Sequence, residues 1–201
     1  MPLLLAGWLL LGLFIALALL VAARPRRVSL LALLAEYVLM GLLLSGVIPA
    51  PLALAKVAVG GMVFFILYPV ARRPSPGARV AQEDRGGLMA SFAFRLTAFL
   101  LAGAGAYGLF SRYPLAEIPG PLALASYLLM AVGLLMAILG EGTFESGLGL
   151  LTFQMGFELV ITILEGGLLV AGLLGLMNIL LALAISYLTA VERTRATVRE
   201  R

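Results

Sequence analysis

The chain has 201 residues, of which 63% are hydrophobic and 12% charged, with a mean hydropathy of +1.12. A soluble domain is about 45–50% apolar and about 25% charged, so this much apolar surface requires lipid to cover it. The chain contains no histidine and no cysteine, which excludes histidine-ligated haem, iron–sulfur clusters and disulfides within it. The net charge of +4 comes from arginines clustered in loops, which indicates membrane topology and not nucleic-acid binding.

Seven apolar stretches are long enough to cross a bilayer, for which about 20 residues are needed. The sequence therefore predicts an all-α polytopic membrane bundle of seven helices, with six or eight as alternatives. The first stretch lacks a basic leader and is too long for the apolar core of a signal peptide, which favours a retained helix. The predicted spans cover about residues 3–23, 28–48, 52–71, 91–110, 122–139, 147–164 and 168–191.

The longest polar segment begins at Arg72 and is rich in arginine, proline and glycine. This composition is typical of a loop and marks a boundary between two parts of the chain. We expect a three-helix N-terminal part at residues 1–71, a cytoplasmic loop at residues 72–90, and a four-helix C-terminal part with a short charged tail at residues 91–201.

Arginine distribution predicts the orientation of the bundle. Cytoplasmic connections of membrane proteins carry an excess of Lys and Arg, and here the first connection, the third connection and the tail carry it. These segments share one side only if the number of spans is odd. We therefore expect the N-terminus outside and the C-terminus in the cytoplasm, in the inner membrane of a prokaryote. The arginines concerned are Arg24, Arg26, Arg27, Arg72, Arg73, Arg79, Arg85, Arg193, Arg195, Arg199 and Arg201.

Lys56 is the only lysine in the chain, and it lies inside the apolar run of span three. A charged side chain at the centre of a membrane helix costs about 2.5–3.5 kcal/mol on insertion scales. Two interpretations are open: its ammonium reaches the interface along its own stem, or it faces the bundle interior and carries protons or couples charge. Glu36 in span two is the nearest candidate partner. The two lie at depths that differ by about 10 Å, so we expect a water bridge rather than direct pairing.

Span six carries a polar stripe. Gln154, Glu158 and Glu165 are at i, i+4 and i+11, with Thr162 beside them, which places them near one helix face. Hydrogen bonding that only holds helices together is one interpretation, and a proton relay near mid-span, centred on Glu158, is the other. Glu165 also fits the outer end of the helix. Asn178, in the middle of span seven, is expected to face Glu158 across the short turn.

The run GAGAYG at residues 103–108 matches the pattern G-x-G-x-x-G. A dinucleotide site needs a strand before this pattern and a helix after it. Here the run lies within a predicted membrane helix, so we interpret it as small residues that let helices approach closely.

The residues GFELVIT at 156–162 resemble a motif of NuoK, a small membrane subunit of respiratory complex I whose glutamate is implicated in proton transfer. Glu158 falls on that glutamate. NuoK has a second glutamate in its next helix, where this sequence has Asn178, so one titratable group of the NuoK pattern is missing. The whole chain resembles HyfE, component E of the group 4 membrane-bound hydrogenases, in length, span order and a lysine in span three, where Lys56 falls. The resemblance covers spans one to three and five to seven.

This resemblance implies a non-catalytic membrane subunit of a complex I-like or group 4 hydrogenase-like assembly. Such a subunit contributes to proton or sodium translocation coupled to redox chemistry in its partners. The partners implied are the lipid bilayer, antiporter-like subunits and a quinone- or hydrogenase-arm subunit, with no cofactor, metal or nucleic acid on this chain. The proton or ion pathway would comprise Glu158, Lys56, Glu36, Gln154, Asn178 and Glu165.

Two other functions remain open from the sequence. One is a self-standing cation transporter or channel, with which Gly60–Gly61 and the two glycines after Glu165 fit as breaks in binding helices. The other is a structural or assembly subunit whose buried polar residues only join helices.

Overall fold

The computed structural model describes residues 3–23, 25–72, 92–115, 117–140, 142–165 and 167–199. Within these ranges the regular structure is entirely helical, and seven helices are long and apolar enough to cross a membrane, which confirms the predicted class and number of spans. Most of the predicted loop at 72–90 lies outside the described residues. The helices are α1 (Leu3–Ala22), α2 (Arg26–Leu44), α3 (Ala50–Arg72), α4 (Phe92–Arg112), α5 (Gly120–Leu139), α6 (Thr143–Glu165) and α7 (Leu168–Arg199).

Two helix boundaries differ clearly from the hydropathy-based expectation. Helix α6 begins at Thr143, four residues earlier than predicted, because Phe144 is fully buried and belongs to the packed core. Helix α7 continues to Arg199, eight residues beyond the predicted span, and the guanidinium of Arg193 donates to the main-chain oxygen of Val70 at 2.6 Å. Hydropathy detects where the apolar run ends, whereas packing decides where the helix ends.

The helices form two rows of three. Helices α1, α2 and α3 pack as successive hairpins in the first row, and α5, α6 and α7 do the same in the second row. The rows face each other, with α1 against α5, α2 against α6 and α3 against α7, while α4 packs on the outside of α1 and α5. Side chains that point from α2, α3, α6 and α7 into the seam between the rows are therefore shielded from lipid.

One end of the bundle collects the arginines. Arg27 Nη2 donates to the carbonyl oxygen of Arg72 at 3.4 Å, which places the start of α2 beside the end of α3. Arg95 near the start of α4 forms an ion pair with Glu145 of α6, with nitrogen and oxygen 3.5 Å apart. We call this the arginine end, and we call the opposite end, formed by the connections after α2, α4 and α6, the distal end. The arginine end carries Arg26, Arg27, Arg72, Arg95 and Arg193.

Glycines bring α5 and α6 into backbone contact. A Cβ on Gly133 would lie 2.3 Å from the main-chain nitrogen of Phe153, and a Cβ on Gly149 would lie 2.4 Å from that of Ala137. Neither position leaves room for a side chain, which is how small residues let membrane helices approach closely. This contact fixes the rotation of α6 and thereby turns its other faces toward α2 and α7.

The GAGAYG run lies within α4, so the rejection of a dinucleotide site agrees with the fold. Close helix contact, however, involves only part of the run. Gly103 and Ala106 are buried, and a Cβ on Gly103 would meet only the ring of Phe14 at 3.6 Å. A Cβ on Gly105 or Gly108 would meet nothing within 4 Å, so these two glycines are not explained by packing between the described helices.

Candidate ion-pathway site

Lys56 and Glu158 form an ion pair in the seam between the two rows. The ammonium of Lys56, on α3, bonds to Oε1 of Glu158, on α6. Lys56 is only 5% exposed and Glu158 only 1% exposed, so neither group reaches lipid or the surface. The structure places the Lys56 side chain inside the bundle, so its ammonium does not reach the interface along its own stem. The two oppositely charged groups compensate each other where lone charges would be costly.

Asn178 of α7 joins this pair from the side. Its Nδ2 donates to Oε2 of Glu158 at 2.8 Å, which confirms that Asn178 faces Glu158. The same Nδ2 also lies 3.3 Å from the main-chain oxygen of Leu174. Both oxygens of the Glu158 carboxylate therefore have a donor, one from α3 and one from α7. The Glu158 side chain of α6 is thus bonded to side chains of both α3 and α7.

Tyr37 of α2 completes the network, and sequence reasoning missed it. Its hydroxyl donates to Oδ1 of Asn178 at 3.1 Å, and the side chain is 2% exposed. A Cβ on Gly60 of α3 would lie 2.5 Å from Cγ of Tyr37, so the absence of a side chain at Gly60 makes room for the ring. One feature of the sequence does indicate a large neighbour here. Gly60 lies four residues after Lys56, on the same face of α3, and leaves space beside the lysine for a side chain of another helix.

Glu36 occupies a second buried position in the same seam. It is 0% exposed, and its Oε2 accepts a hydrogen bond from Oγ1 of Thr152 at 3.0 Å. Its Oε1 has no hydrogen-bond partner among the described residues. Each of the two has its own direct partner on α6, because α6 presents Thr152 to Glu36 and Glu158 to Lys56. The expected water bridge between Glu36 and Lys56 stays a prediction.

The polar stripe of α6 is only partly as expected. Gln154 is 8% exposed and Thr162 is 4% exposed, so both are buried close to Glu158 along the helix. Glu165 is the last residue of α6 and is exposed, which separates it from the buried network. Its position corresponds to the alternative considered from the sequence in that it marks an end of the helix.

The Lys56–Glu158 pair lies nearer the distal end than the arginine end. Lys56 is six residues from the start of α3, or about 9 Å, and Glu158 is seven residues from the end of α6, or about 10 Å. From Glu158 to Thr143 at the arginine end there are fifteen residues, or about 22 Å. Glu158 therefore lies about two thirds of the way along α6 from its start, because α6 begins four residues earlier than its hydropathy indicates.

The chemistry available to this site is proton exchange and hydrogen bonding. Lys56, Glu158 and Glu36 can each gain or lose a proton, and Asn178 and Thr152 hold the two carboxylates in place. Within the part of the chain that the structure describes, no three acidic side chains come together as a metal site would require.

No protein family, curated protein or solved structure matches the chain. The resemblance to HyfE and NuoK therefore stays a prediction. What the fold itself defines is a multi-pass helical membrane protein with a buried ion pair in the seam between two rows of helices.

Proposed function

We propose that the chain is a non-catalytic membrane subunit of a complex I-like or group 4 hydrogenase-like assembly. In this proposal it takes part in proton translocation that is driven by redox chemistry in partner subunits. Redox centres belong to those partners, because this chain lacks the histidine and cysteine ligands that such centres use. The partners have the classes named above, antiporter-like subunits and a quinone- or hydrogenase-arm subunit.

The observation that carries the proposal is the buried Lys56–Glu158 ion pair with its hydrogen-bonded neighbours. Ionisable groups within membrane helices are rare and mark ion pathways and proton relays. A pair that only joined helices would be an expensive choice, since buried ion pairs can often be replaced by apolar residues without loss of stability. The chain keeps a second buried carboxyl group, Glu36, which has no cationic partner among the described residues.

Proton movement within the pair supplies a mechanism for coupling. Transfer of a proton from the Lys56 ammonium to Oε1 of Glu158 converts a charged pair into a neutral pair, and net charge is unchanged. The balance between these two forms depends on the surrounding field, because electrostatic interactions are strong in a low-dielectric interior. A charge change in a partner subunit would shift this balance, and that shift is how remote redox chemistry would act on the pathway.

The donors around the site favour a proton over sodium as the ion. Hard cations are held by several oxygen ligands at once. Here both oxygens of Glu158 already face nitrogen donors, and Oδ1 of Asn178 faces the hydroxyl of Tyr37. A sodium ion at Glu158 would have to displace these donors, whereas a proton uses them.

The arginine end is assigned to the cytoplasm. The guanidinium groups of the first connection, of the end of α3 and of α7 all lie there, as an excess of positive charge on one side requires. The proposal is a chain in the inner membrane of a prokaryote with its C-terminus inside. The Lys56–Glu158 pair is then nearer the outer face.

The decisive experiment combines purification with a coupling assay. The tagged full-length chain, extracted in mild detergent, is expected to bring down antiporter-like subunits and an iron–sulfur-bearing arm. In inverted membrane vesicles that contain this assembly, Glu158→Gln should reduce redox-driven proton uptake. The matched control is Glu165→Gln, which alters an exposed acid on the same helix and should leave uptake unchanged.

The two alternatives give different results in the same experiment. A chain that purifies as a homo-oligomer and moves cations in liposomes by itself is a self-standing transporter. A Glu158→Gln variant that assembles normally and pumps at the wild-type rate indicates a structural subunit. Either result would contradict the proposed function.

A further inference from the structure

Two buried polar atoms lie on either side of the Lys56–Glu158 pair without a hydrogen-bond partner among the described residues. They are Nε2 of Gln154 and Oγ1 of Thr162. Each residue is four positions from Glu158 along α6, so the two residues lie about 6 Å from it along the helix, one toward each end of the bundle. Buried polar groups in proteins are almost always hydrogen-bonded, so such a pair calls for a ligand.

Both residues lie on the face of α6 that packs on α7. Successive positions 147, 154, 158 and 162 fall close together around the helix at 3.6 residues per turn. At one end of this face a Cβ on Gly147 would lie 2.6 Å from Ile185 of α7, and further along it Glu158 accepts the hydrogen bond from Asn178. Gln154 lies between these two contacts, and Thr162 lies one turn beyond Glu158.

Thr162 differs from other threonines in these membrane helices. The hydroxyl of Thr97 donates to the main-chain oxygen of Ala93 at 2.8 Å, and that of Thr189 donates to Ile185 at 2.7 Å. This bond to the preceding turn is the usual way in which a helical threonine satisfies its hydroxyl. Thr162 does not make it, so its hydroxyl remains available to something in the α6–α7 interface.

We propose that water occupies two positions in the α6–α7 interface, one bonded to Nε2 of Gln154 and one bonded to Oγ1 of Thr162. Lipid offers no hydrogen bond to either atom, and both atoms are themselves buried inside the bundle, out of reach of a partner protein's side chain. Water is the remaining small ligand, and buried waters commonly satisfy polar groups that the protein leaves unpaired. The water at Thr162 is the one nearer the distal end, because Thr162 is three residues from the end of α6.

The two waters lie about one helical turn from Glu158, one toward the distal end and one toward the arginine end, where they can contribute steps to a proton route. Their significance for transport rests on the proposed function, whereas their presence does not.

Single-cysteine labelling of the full-length chain in its own membranes tests the proposal. The chain has no cysteine, so each substitution creates a single thiol. A thiol reacts as the thiolate, which forms where water is present. With a small water-soluble thiol reagent we expect Gln154→Cys to react several-fold faster than Met155→Cys, its 0% exposed neighbour. Thr162→Cys should likewise react faster than its neighbour Ile163→Cys. Reaction at either test position no faster than at its control overturns the proposal.

A second measurement decides the question if a cysteine variant fails to accumulate. Removal of a polar atom that is unsatisfied stabilises a protein, whereas removal of one that holds a water breaks hydrogen bonds. We therefore expect Gln154→Met and Thr162→Val to lower the midpoint of thermal unfolding in mild detergent. An equal or higher midpoint overturns the proposal. Neither readout measures pumping. If Glu158→Gln pumps at the wild-type rate, the proposed function is wrong, but the labelling and unfolding results still decide whether the two waters are present.

Discussion

Gly60 of α3 lies directly against the aromatic ring of Tyr37 on α2, so close that a single added Cβ would lie 2.5 Å from both Cβ and Cγ of the tyrosine. The ring in turn carries the hydroxyl that holds Asn178, and Asn178 holds Glu158. The geometry of the ion pair therefore depends on a position of α3 that has no side chain.

Gly60→Ala should destabilise the protein. The added methyl group would push against a fully packed ring, and overpacking of this kind costs about 1–3 kcal/mol. Gly61→Ala is the matched control, because a Cβ there would meet nothing within 4 Å. Thermal unfolding of the purified chain in mild detergent measures both. Equal midpoints for the two variants would show that the Gly60–Tyr37 contact does not restrict the bundle.

Tyr37→Phe tests the hydroxyl without altering the packing of the ring. The variant loses the bond to Oδ1 of Asn178, and hydrogen bonds between membrane helices average about 0.6 kcal/mol. We expect only a small loss of stability but a measurable loss of redox-driven proton uptake, because Asn178 is no longer held in place. Retention of full coupling would remove Tyr37 from the pathway and leave it a packing residue.

The Lys56–Glu158 pair is best tested by a double-mutant cycle. Removal of one partner leaves the other charged and buried, which costs about 3–5 kcal/mol, so Lys56→Met and Glu158→Leu should each lower the unfolding midpoint strongly. The double variant removes both charges and should recover much of the lost stability. It should nonetheless show no coupled proton uptake. A double variant that is stable and still pumps would show that the pair is structural.

The sequence predicts the fold well because hydropathy decides it. Each span is a continuous apolar run, and lipid requires the backbone of such a run to be helical. The contact of Asn178 with Glu158 is also predictable, since the two helices are joined by a short turn and each carries a strongly polar residue in its apolar run. Helix ends are harder, as Thr143 shows, because a buried Phe144 beyond the apolar run extends α6.

The Lys56–Glu158 pairing could not be predicted, because these residues are 102 positions apart and lie in different rows. Which helix of one row faces which helix of the other depends on packing, above all on the glycines that join α5 to α6. Glu36, the nearest acid in sequence, has its direct hydrogen bond with Thr152, and Lys56 has its direct bond with Glu158. The role of Tyr37 was hidden in the same way, since nothing in its own helix indicates that it reaches α7.

Membrane orientation is tested by labelling at the two segments that carry the most arginine. We expect single cysteines at positions 75 and 197 to react with an impermeant reagent only from the cytoplasmic side. Position 75 follows the end of α3 in sequence, and position 197 lies in the last turn of α7. These two helix ends lie together at the arginine end, since Arg193 of α7 donates to the main-chain oxygen of Val70 in α3. Reaction of the two positions from opposite sides would contradict the arrangement of the bundle, and reaction of both from outside would reverse its orientation.

Glu36→Gln distinguishes the contribution of Glu36 to proton uptake from that of Glu158. Glu158 is held by Lys56 and Asn178, so its loss disturbs three helices. Glu36 has one hydrogen bond, from Thr152, and its other carboxylate oxygen has no hydrogen-bond partner among the described residues. Glutamine has nearly the same shape and can accept the same bond from Thr152, but it cannot carry an exchangeable proton. We therefore expect Glu36→Gln to keep the wild-type unfolding midpoint while it lowers redox-driven proton uptake.

Thr152→Val is the matched variant on the partner side of that bond. It removes the hydroxyl that holds Oε2 of Glu36 but leaves a titratable carboxyl group in place, so uptake should fall less than in Glu36→Gln. Infrared spectra of the purified chain, recorded as pH is varied, provide a second readout, because a carboxyl signal that belongs to Glu36 must disappear in Glu36→Gln and persist in Thr152→Val. Unchanged uptake in Glu36→Gln would leave the Lys56–Glu158 pair as the sole candidate for proton exchange among the described membrane helices.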